Sequence, residues 1–243
     1  MSDQRLAALV TGGAKRVGRA IALALADAGY DVAFTWNNSQ DDAKTTVELL
    51  RAKGGRALAI RADLTDSMAV QQVHQHVMQE FGGLNVLVNN ASMYEPGDLR
   101  DASLSQSRRM WALHVEAPLL LCREFEKPLR ESRGHVVNML DLLAERPWPK
   151  FMTYCASKAA LWNLTLSLAK ELAPEVTVNG IAPGVVEWPP DFPQAEKERY
   201  LSRVPLGRAG TPEDVAKAVV FFCRDGGYVT GQVLRLDGGK SVT

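Results

Sequence analysis

Thr11-Gly12-Gly13-Ala14-Lys15-Arg16-Val17-Gly18 stands between an apolar run at 6–10 and a stretch of helical period at 17–28. Glycine lets a chain turn tightly from strand to helix and lets its backbone come close to a bound group. The free amides at the start of such a helix attract anions, a pyrophosphate among them. A glycine-rich turn is weak evidence alone, yet its place between the first strand and the first helix is the setting that a dinucleotide fingerprint requires. Gly12, Lys15, Arg16, Val17 and Gly18 are therefore candidate cofactor contacts.

The alternation continues outward from this turn. Short β-rich runs at 31–36, 57–61, 84–89, 135–139, 176–181 and 233–236 are separated by helical patterns at 40–53, 67–81, 104–129, 152–172 and 212–224. Strand and helix in this order imply right-handed crossovers and a parallel sheet covered on both faces, a doubly wound α/β Rossmann fold. No linker divides the chain, so a single domain over 1–243 is expected. The irregular stretch at 183–210, with Trp188-Pro189-Pro190 and a charged segment at 196–203, reads equally as a lid over a site or as a surface insertion.

Composition narrows the partners. With 28 basic and 28 acidic residues and a pI near 6.9, the chain lacks the basic excess of a nucleic-acid or membrane-surface binder, and a small molecule is the expected partner. Cys122, Cys155 and Cys223 are odd in number and form no Cys-x-x-Cys pair, which points to neither a disulfide frame nor a zinc site and favours the cytoplasm. Residues 1–5 are polar and lack the form of a signal peptide, and no run approaches a membrane span.

The second strand runs into Thr35-Trp36-Asn37-Asn38-Ser39, with no carboxylate before Asp41. NAD sites usually place Asp or Glu here to hold the ribose hydroxyls. Asn38, Ser39 and the next helix start can instead hold a 2′-phosphate, and NADP is favoured. Ser39 also suits a helix cap with Asp42 at the third helical position. Asp63-Leu64 and Asn89-Asn90-Ala91-Ser92 follow the third and fourth strands, at the carboxyl edge where ligands lie. Asp63 can accept from an adenine amine or cap the helix behind it.

Tyr154 and Lys158 in Tyr154-Cys155-Ala156-Ser157-Lys158 are four apart on a helix and so share a face, with Asp141 thirteen residues upstream. An ammonium about 5 Å from a phenol would favour its anion by about 3 kcal/mol, roughly two pKa units, at an effective dielectric of ~20. That would tune Tyr154 as an acid. Alone the motif is common in helices that serve only packing.

Taken together, Thr11-Gly12 with Gly18, Asp63, Asn89-Asn90-Ala91, Tyr154 with Lys158, Pro183-Gly184 and the closing Asp237-Gly238-Gly239 resemble the short-chain dehydrogenase/reductase family over essentially the whole chain. The resemblance implies a seven-stranded Rossmann domain, usually a homotetramer, with Tyr154 as general acid and Lys158 on the nicotinamide ribose. It also places Asn90, Ala91, Ser92, Pro183, Gly184 and Val185 beside the cofactor. Four departures occur together: Arg16 for the middle glycine, Ser92 where glycine is usual, Tyr94 two residues later, and Asp141 for the catalytic serine. With Leu172-Ala173-Pro174-Glu175-Val176-Thr177-Val178-Asn179, they make the chain similar to the pteridine reductases, including bacterial dihydropteridine and dihydromonapterin reductases. That likeness implies that Arg16 touches pyrophosphate and substrate, that Tyr94 stacks on a pterin, and that Asp141 and Tyr154 handle protons. Ser92 and Trp188 complete the candidate substrate contacts.

The chemistry of these residues agrees. A hydroxyl suits a ketone because it donates to oxygen as negative charge develops there, whereas an ionised carboxylate opposes that charge. Reduction of a C=N bond needs a proton on nitrogen, which Asp141 with Tyr154 can manage. The expected activity is NADPH-dependent reduction of a dihydropterin or dihydrofolate-type substrate. A carbonyl reductase of 3-oxoacyl thioesters and a nucleotide-binding protein without catalysis are the competing readings. His114 stands where the family usually has Asn in a water relay to the lysine, and reads either as a pH-sensitive relay or as a satisfied core histidine. His74 and His76, two apart on a helix, face different ways and are not read as metal ligands.

Overall fold

The computed structural model describes residues 6–100, 103–188 and 191–243; the polar start at 1–5 and Pro189 and Pro190 lie outside the described residues. Seven strands form one parallel sheet: β1 (Ala7–Val10), β2 (Asp31–Trp36), β3 (Ala57–Arg61), β4 (Val86–Asn89), β5 (His135–Met139), β6 (Thr177–Pro183) and β7 (Val233–Leu236). Their order is β3-β2-β1-β4-β5-β6-β7. The chain winds outward from β1 to β3, then returns to place β4 beside β1, with Val10 opposite Val88. That reversal is the switch point where ligands bind in such sheets.

Alternation along each strand feeds two cores. Ala7 and Leu9 face one side, with Val73, Val77 and Phe81 of α3 (Ser67–Phe81), Leu121 of α5 (Ala117–Glu124), Leu129 of α6 (Glu126–Ser132) and Leu168 of α7 (Met152–Glu171). Ala8 and Val10 face the other, with Ile21 and Leu25 of α1 (Arg16–Asp27), Leu50 of α2 (Gln40–Ala52) and Val219 and Phe222 of α9 (Pro212–Arg224). Burial on both faces is why these strands are almost wholly apolar. Among the described residues, no helix is long and apolar enough to cross a membrane.

Two expectations change. The helical pattern at 104–129 is not one helix: α4 (Leu104–Trp111) passes through a π-helical turn at Ala112–Glu116 into α5, and the chain breaks again at Phe125 before α6. The wide turn carries buried His114, whose ring bonds reach outside its own helix. Pro128 falls in the first turn of α6, where a missing amide costs no helix bond, while Pro118 stands just past the π turn. The irregular stretch at 183–210 holds a two-turn helix, α8 (Gln194–Leu201).

Candidate active site

The nucleotide turn is tied into three strand ends. Buried Thr11 accepts at Oγ1 from the amides of Asn90 at 2.8 Å and Ala91 at 2.9 Å, while Asn90 Nδ2 donates back to the Thr11 carbonyl at 2.8 Å. The Gly12 amide donates to Thr35 Oγ1 at 3.0 Å. Gly12 has φ +65°, and a Cβ on Gly18 would stand 2.2 Å from the Gly12 carbonyl oxygen, so α1 approaches β1 only because residue 18 has no side chain. Arg16 holds a left-handed φ of +53° where glycine would be at ease. Lys15 occupies the cap position without a side-chain bond, which leaves the first amides of α1 to an outside acceptor, and Val17 packs toward the core behind them.

At the end of β2, Asn38 is exposed and Ser39 precedes α2 without capping it. Ser39 thus holds the cap position, its carbonyl accepting from the Ala43 amide at 2.9 Å, but its side chain makes no capping bond. Asp42 turns instead to Arg19, whose Nη2 donates to Oδ1 at 2.8 Å. Asp63 accepts at Oδ1 from the amide and hydroxyl of Thr65, at 3.0 and 2.8 Å, and these bonds hold its carboxyl below the usual range. The cap of α3 is Asp66, not Asp63, and Leu64 is buried beneath the turn. An uncapped helix start, a glycine cradle and no acid at the end of β2 fit a dinucleotide bearing an extra phosphate.

Across the switch point lies a cluster that chain position separates. Tyr154 Oη donates to Asp141 Oδ2 at 2.7 Å, and Asp141 Oδ1 accepts from the Leu143 amide at 2.8 Å. Lys158, buried on the same face of α7, donates from Nζ to the Met139 carbonyl at 2.9 Å, with Nζ 5.8 Å from the Tyr154 ring centre. Spacing predicts an acidified phenol, but the phenol is pushed well above its ordinary value. Burial is the first cause and the charge of Asp141 the second. Burial likewise raises the Asp141 carboxyl, against its hydrogen bonds and Lys158, and lowers Lys158 to about 8, against Asp141. Phenol and carboxyl are thus both shifted toward their protonated forms and share one hydrogen bond, an arrangement suited to handling a proton.

Tyr94 is half exposed and stacks on Phe151 at 4.4 Å and 11°, with its ring edge-on to Tyr154 at 4.8 Å. His114 supports this wall. Its Nε2 accepts from the Met93 amide at 3.1 Å and lies 3.0 Å from Ser92 Oγ, so its proton sits on Nδ1, which donates to Ser157 Oγ at 2.8 Å. Burial, helped by Lys158, pushes the imidazole down to about 2, and it stays neutral. Of the two readings of His114, the satisfied core histidine is the one that forms.

Pro183 ends β6, and Gly184 is held close by Tyr200, whose Oη accepts from the Val185 amide at 3.1 Å. Trp188 is packed on Phe192 at 4.9 Å and Tyr200 at 5.4 Å, a second aromatic group. Sequence reasoning gave Thr11 only as the start of the glycine turn and missed Thr35, Phe151, Tyr200 and Glu187, the last an ion-pair partner of Arg16. Only the two threonines carried a signal, as hydroxyls at strand ends. Among the described residues, no three metal-binding side chains lie together; His74 packs edge-on to Phe125 and His76 Nδ1 lies 2.7 Å from the Gln72 carbonyl.

Comparison with known proteins identifies this arrangement. A family model described as enoyl-(acyl carrier protein) reductase matches residues 12–241. The 3-oxoacyl-(acyl-carrier-protein) reductase FabG of Staphylococcus aureus is 36% identical over 242 residues, covering 96% of each chain. A short chain dehydrogenase from Burkholderia cenocepacia, solved in complex with NADP, superposes with a TM-score of 0.92 at 36% identity over 98% of each chain. A metagenomic blue fluorescent protein solved with NADPH gives 0.92 at 34% identity, covering 97% of this chain and 98% of that one. None of these names a pteridine reductase. With this fold, this turn and the Tyr154–Lys158 pair on one helix face, the chain belongs to the short-chain dehydrogenase/reductase family of oxidoreductases.

Proposed function

We propose that the chain is an NADPH-dependent reductase acting on a ring carbon of a pteridine, of the dihydropterin or dihydrofolate type. The observation that carries the substrate class is the 2.7 Å bond from Tyr154 Oη to Asp141 Oδ2. A carboxyl group at this place accepts from the amine of a 2-amino-4-oxo pteridine, and the phenol beside it delivers a proton to a ring nitrogen. NADPH supplies the hydride. Gly12, Lys15, Arg16, Val17 and Gly18 would hold its pyrophosphate, Asn38 and Ser39 its 2′-phosphate, and Asp63 and Leu64 its adenine. Asn90, Ala91, Ser92, Lys158, Pro183, Gly184 and Val185 would hold its nicotinamide half. Relatives solved with NADP and NADPH support that cofactor.

Tyr94, backed by Phe151, gives the substrate a flat wall beside Tyr154, and an aromatic stack there is worth about 0.5 to 1.5 kcal/mol beyond its area. Arg16, Ser92 and Trp188 would supply further substrate contacts. Exposed Leu104 and Trp111 on α4 and Leu119 on α5 support assembly into a tetramer.

The second reading, reduction of 3-oxoacyl thioesters, is favoured by the similarity to FabG. NADPH oxidation measured with dihydropterins, dihydrofolate and a panel of 3-oxoacyl thioesters separates the two. Asp141→Ser is expected to cost the pteridine reaction about 10²-fold or more and to raise ketone turnover. Wild-type turnover confined to ketones removes the pteridine reading.

A further inference from the structure

Two helices of this chain begin with a hydroxyl and, three residues on, an acid, and only one of them is capped. At α9 the Asp214 amide donates to Thr211 Oγ1 at 3.1 Å and the Thr211 amide donates to Asp214 Oδ2 at 3.1 Å, a closed capping box. Arg208 also reaches that carboxylate, at 3.0 Å, and leaves the box intact. At α2, Ser39 and Asp42 hold the same two positions, yet no side-chain cap forms. Ser39 stands at φ −108° and ψ 61°, away from the extended backbone of Thr211 at −130° and 160°.

Arg19 of α1 holds Asp42 elsewhere. Its Nη2 donates to Asp42 Oδ1 at 2.8 Å and lies 3.3 Å from the Asp42 carbonyl. Its Nε donates to the Ala14 carbonyl at 2.9 Å and to Thr46 Oγ1 at 2.8 Å. Buried Thr46 in turn donates to the same Ala14 carbonyl at 2.8 Å. The guanidinium is thus fixed between the end of the nucleotide turn and the flank of α2, and it carries Asp42 with it. The other acid of this turn, Asp41, is 97% exposed and lies 3.5 Å from Lys44. The first amides of α2 therefore face no carboxylate bonded to them from their own helix.

A carboxylate folded over a helix start takes the place that an outside anion would occupy, and its charge repels that anion. NAD presents only ribose hydroxyls at the end of the second strand, whereas NADP presents a phosphate there. A free Asp42 would thus count against one dinucleotide and hardly against the other. We propose that Arg19 is a positioning residue for cofactor choice: by drawing Asp42 aside it keeps the start of α2 open to the 2′-phosphate, and so sets the preference for NADPH over NADH. This rests on the placing of that phosphate at Asn38 and Ser39, and it is independent of the substrate.

The test is binding by the full chain without substrate. NADPH and NADH are titrated by nicotinamide fluorescence, and 2′-phospho-AMP and AMP compete with them. Arg19→Gln keeps a donor for the Ala14 carbonyl and removes the charge. It should raise the Kd for NADPH about five-fold or more at low salt and move that for NADH less than about two-fold, with the difference fading near about 0.5 M salt. Arg19→Lys, which keeps the cation, should keep the preference. The double variant Arg19→Gln/Asp42→Asn should return NADPH to within about two-fold of wild type, because the freed charge is gone. Equal losses for both dinucleotides would give Arg19 to the fold alone, and a loss that Asp42→Asn does not restore would put Arg19 itself on the phosphate; either result, or no loss at all, overturns the proposal. Asn38→Asp separates the premise: it should weaken NADPH and 2′-phospho-AMP selectively. If it does so while Arg19→Gln does not, the inference alone fails; if it leaves the two dinucleotides in their wild-type ratio, the placing of the phosphate fails and the inference with it.

Discussion

Arg16 and Glu187, 171 positions apart in the chain, meet as an ion pair with Nε 2.7 Å from Oε2. The pair joins the nucleotide turn to the segment after β6, across the mouth of the site. Its exposure limits its worth to about 1 kcal/mol or less. Arg16 meanwhile carries a left-handed backbone that costs an L-residue roughly 1 to 2 kcal/mol. Arg16→Gly should leave the folded state equally stable or more stable by about 1 kcal/mol in urea. On the proposed contact of Arg16 with the pyrophosphate, its affinity for NADPH should fall about ten-fold, as expected for losing one charged hydrogen bond. Clear destabilisation with unchanged affinity would assign Arg16 to the fold alone.

His114 gives a prediction about stability and pH. Folding moves its pKa from the ordinary 6.5 down to about 2, chiefly by burial. The unfolded chain thus binds a proton below 6.5 that the native state does not, so this term weakens the fold as pH falls. Between pH 7 and pH 5 the loss amounts to about 2 kcal/mol. Denaturant titrations of wild type and His114→Asn at both values should show wild type losing about that much more. Parallel pH dependence would mean that the imidazole is protonated in place.

The alternation of 2.0 and 3.6 periods made the sheet and its helices legible, because a strand covered on both faces is apolar throughout and each crossover helix is amphipathic. Tyr154 and Lys158 were legible for the same reason, since four residues on a helix fix a shared face. The π turn at Ala112–Glu116 was not, because one extra residue in a turn leaves the composition of the helix unchanged. Phe151, Tyr200 and Glu187 join the site through contacts between distant segments, for which no local pattern exists. The direction of the Tyr154 shift was misjudged because spacing gives the distance to Lys158 but not the burial or the Asp141 contact that outweighs it.

Lys158 should separate activity from stability at alkaline pH. Burial lowers it from 10.5 to about 8, so between those values the unfolded chain holds a proton that the native state has lost, and stability rises with pH by up to about 3 kcal/mol. The charge on the lysine disappears over the same interval, and kcat should fall above pH 8. Opposite trends in one buffer series are the expected result. Lys158→Met should abolish the rise in stability and nearly all turnover. A wild-type rate that stays level to pH 10 would show that the cation is not needed.

Trp111 tests the assembly. Leu104, Trp111 and Leu119 are 74%, 45% and 45% exposed along α4 and α5, and α4 packs on α7, which carries Tyr154. Leaving a tryptophan half in water forgoes burial worth about 25 cal/mol for each Å² of apolar surface, which association recovers. A charge placed there would have to be desolvated at the contact without a partner. Trp111→Glu should convert the proposed tetramer to smaller species in sedimentation velocity while leaving the monomer fold intact by circular dichroism. Because α7 is pinned from the same side, kcat should fall along with the assembly. An unchanged sedimentation coefficient would move the interface elsewhere on the chain, and the exposed α9 residue Phe221 would then be the next position to charge.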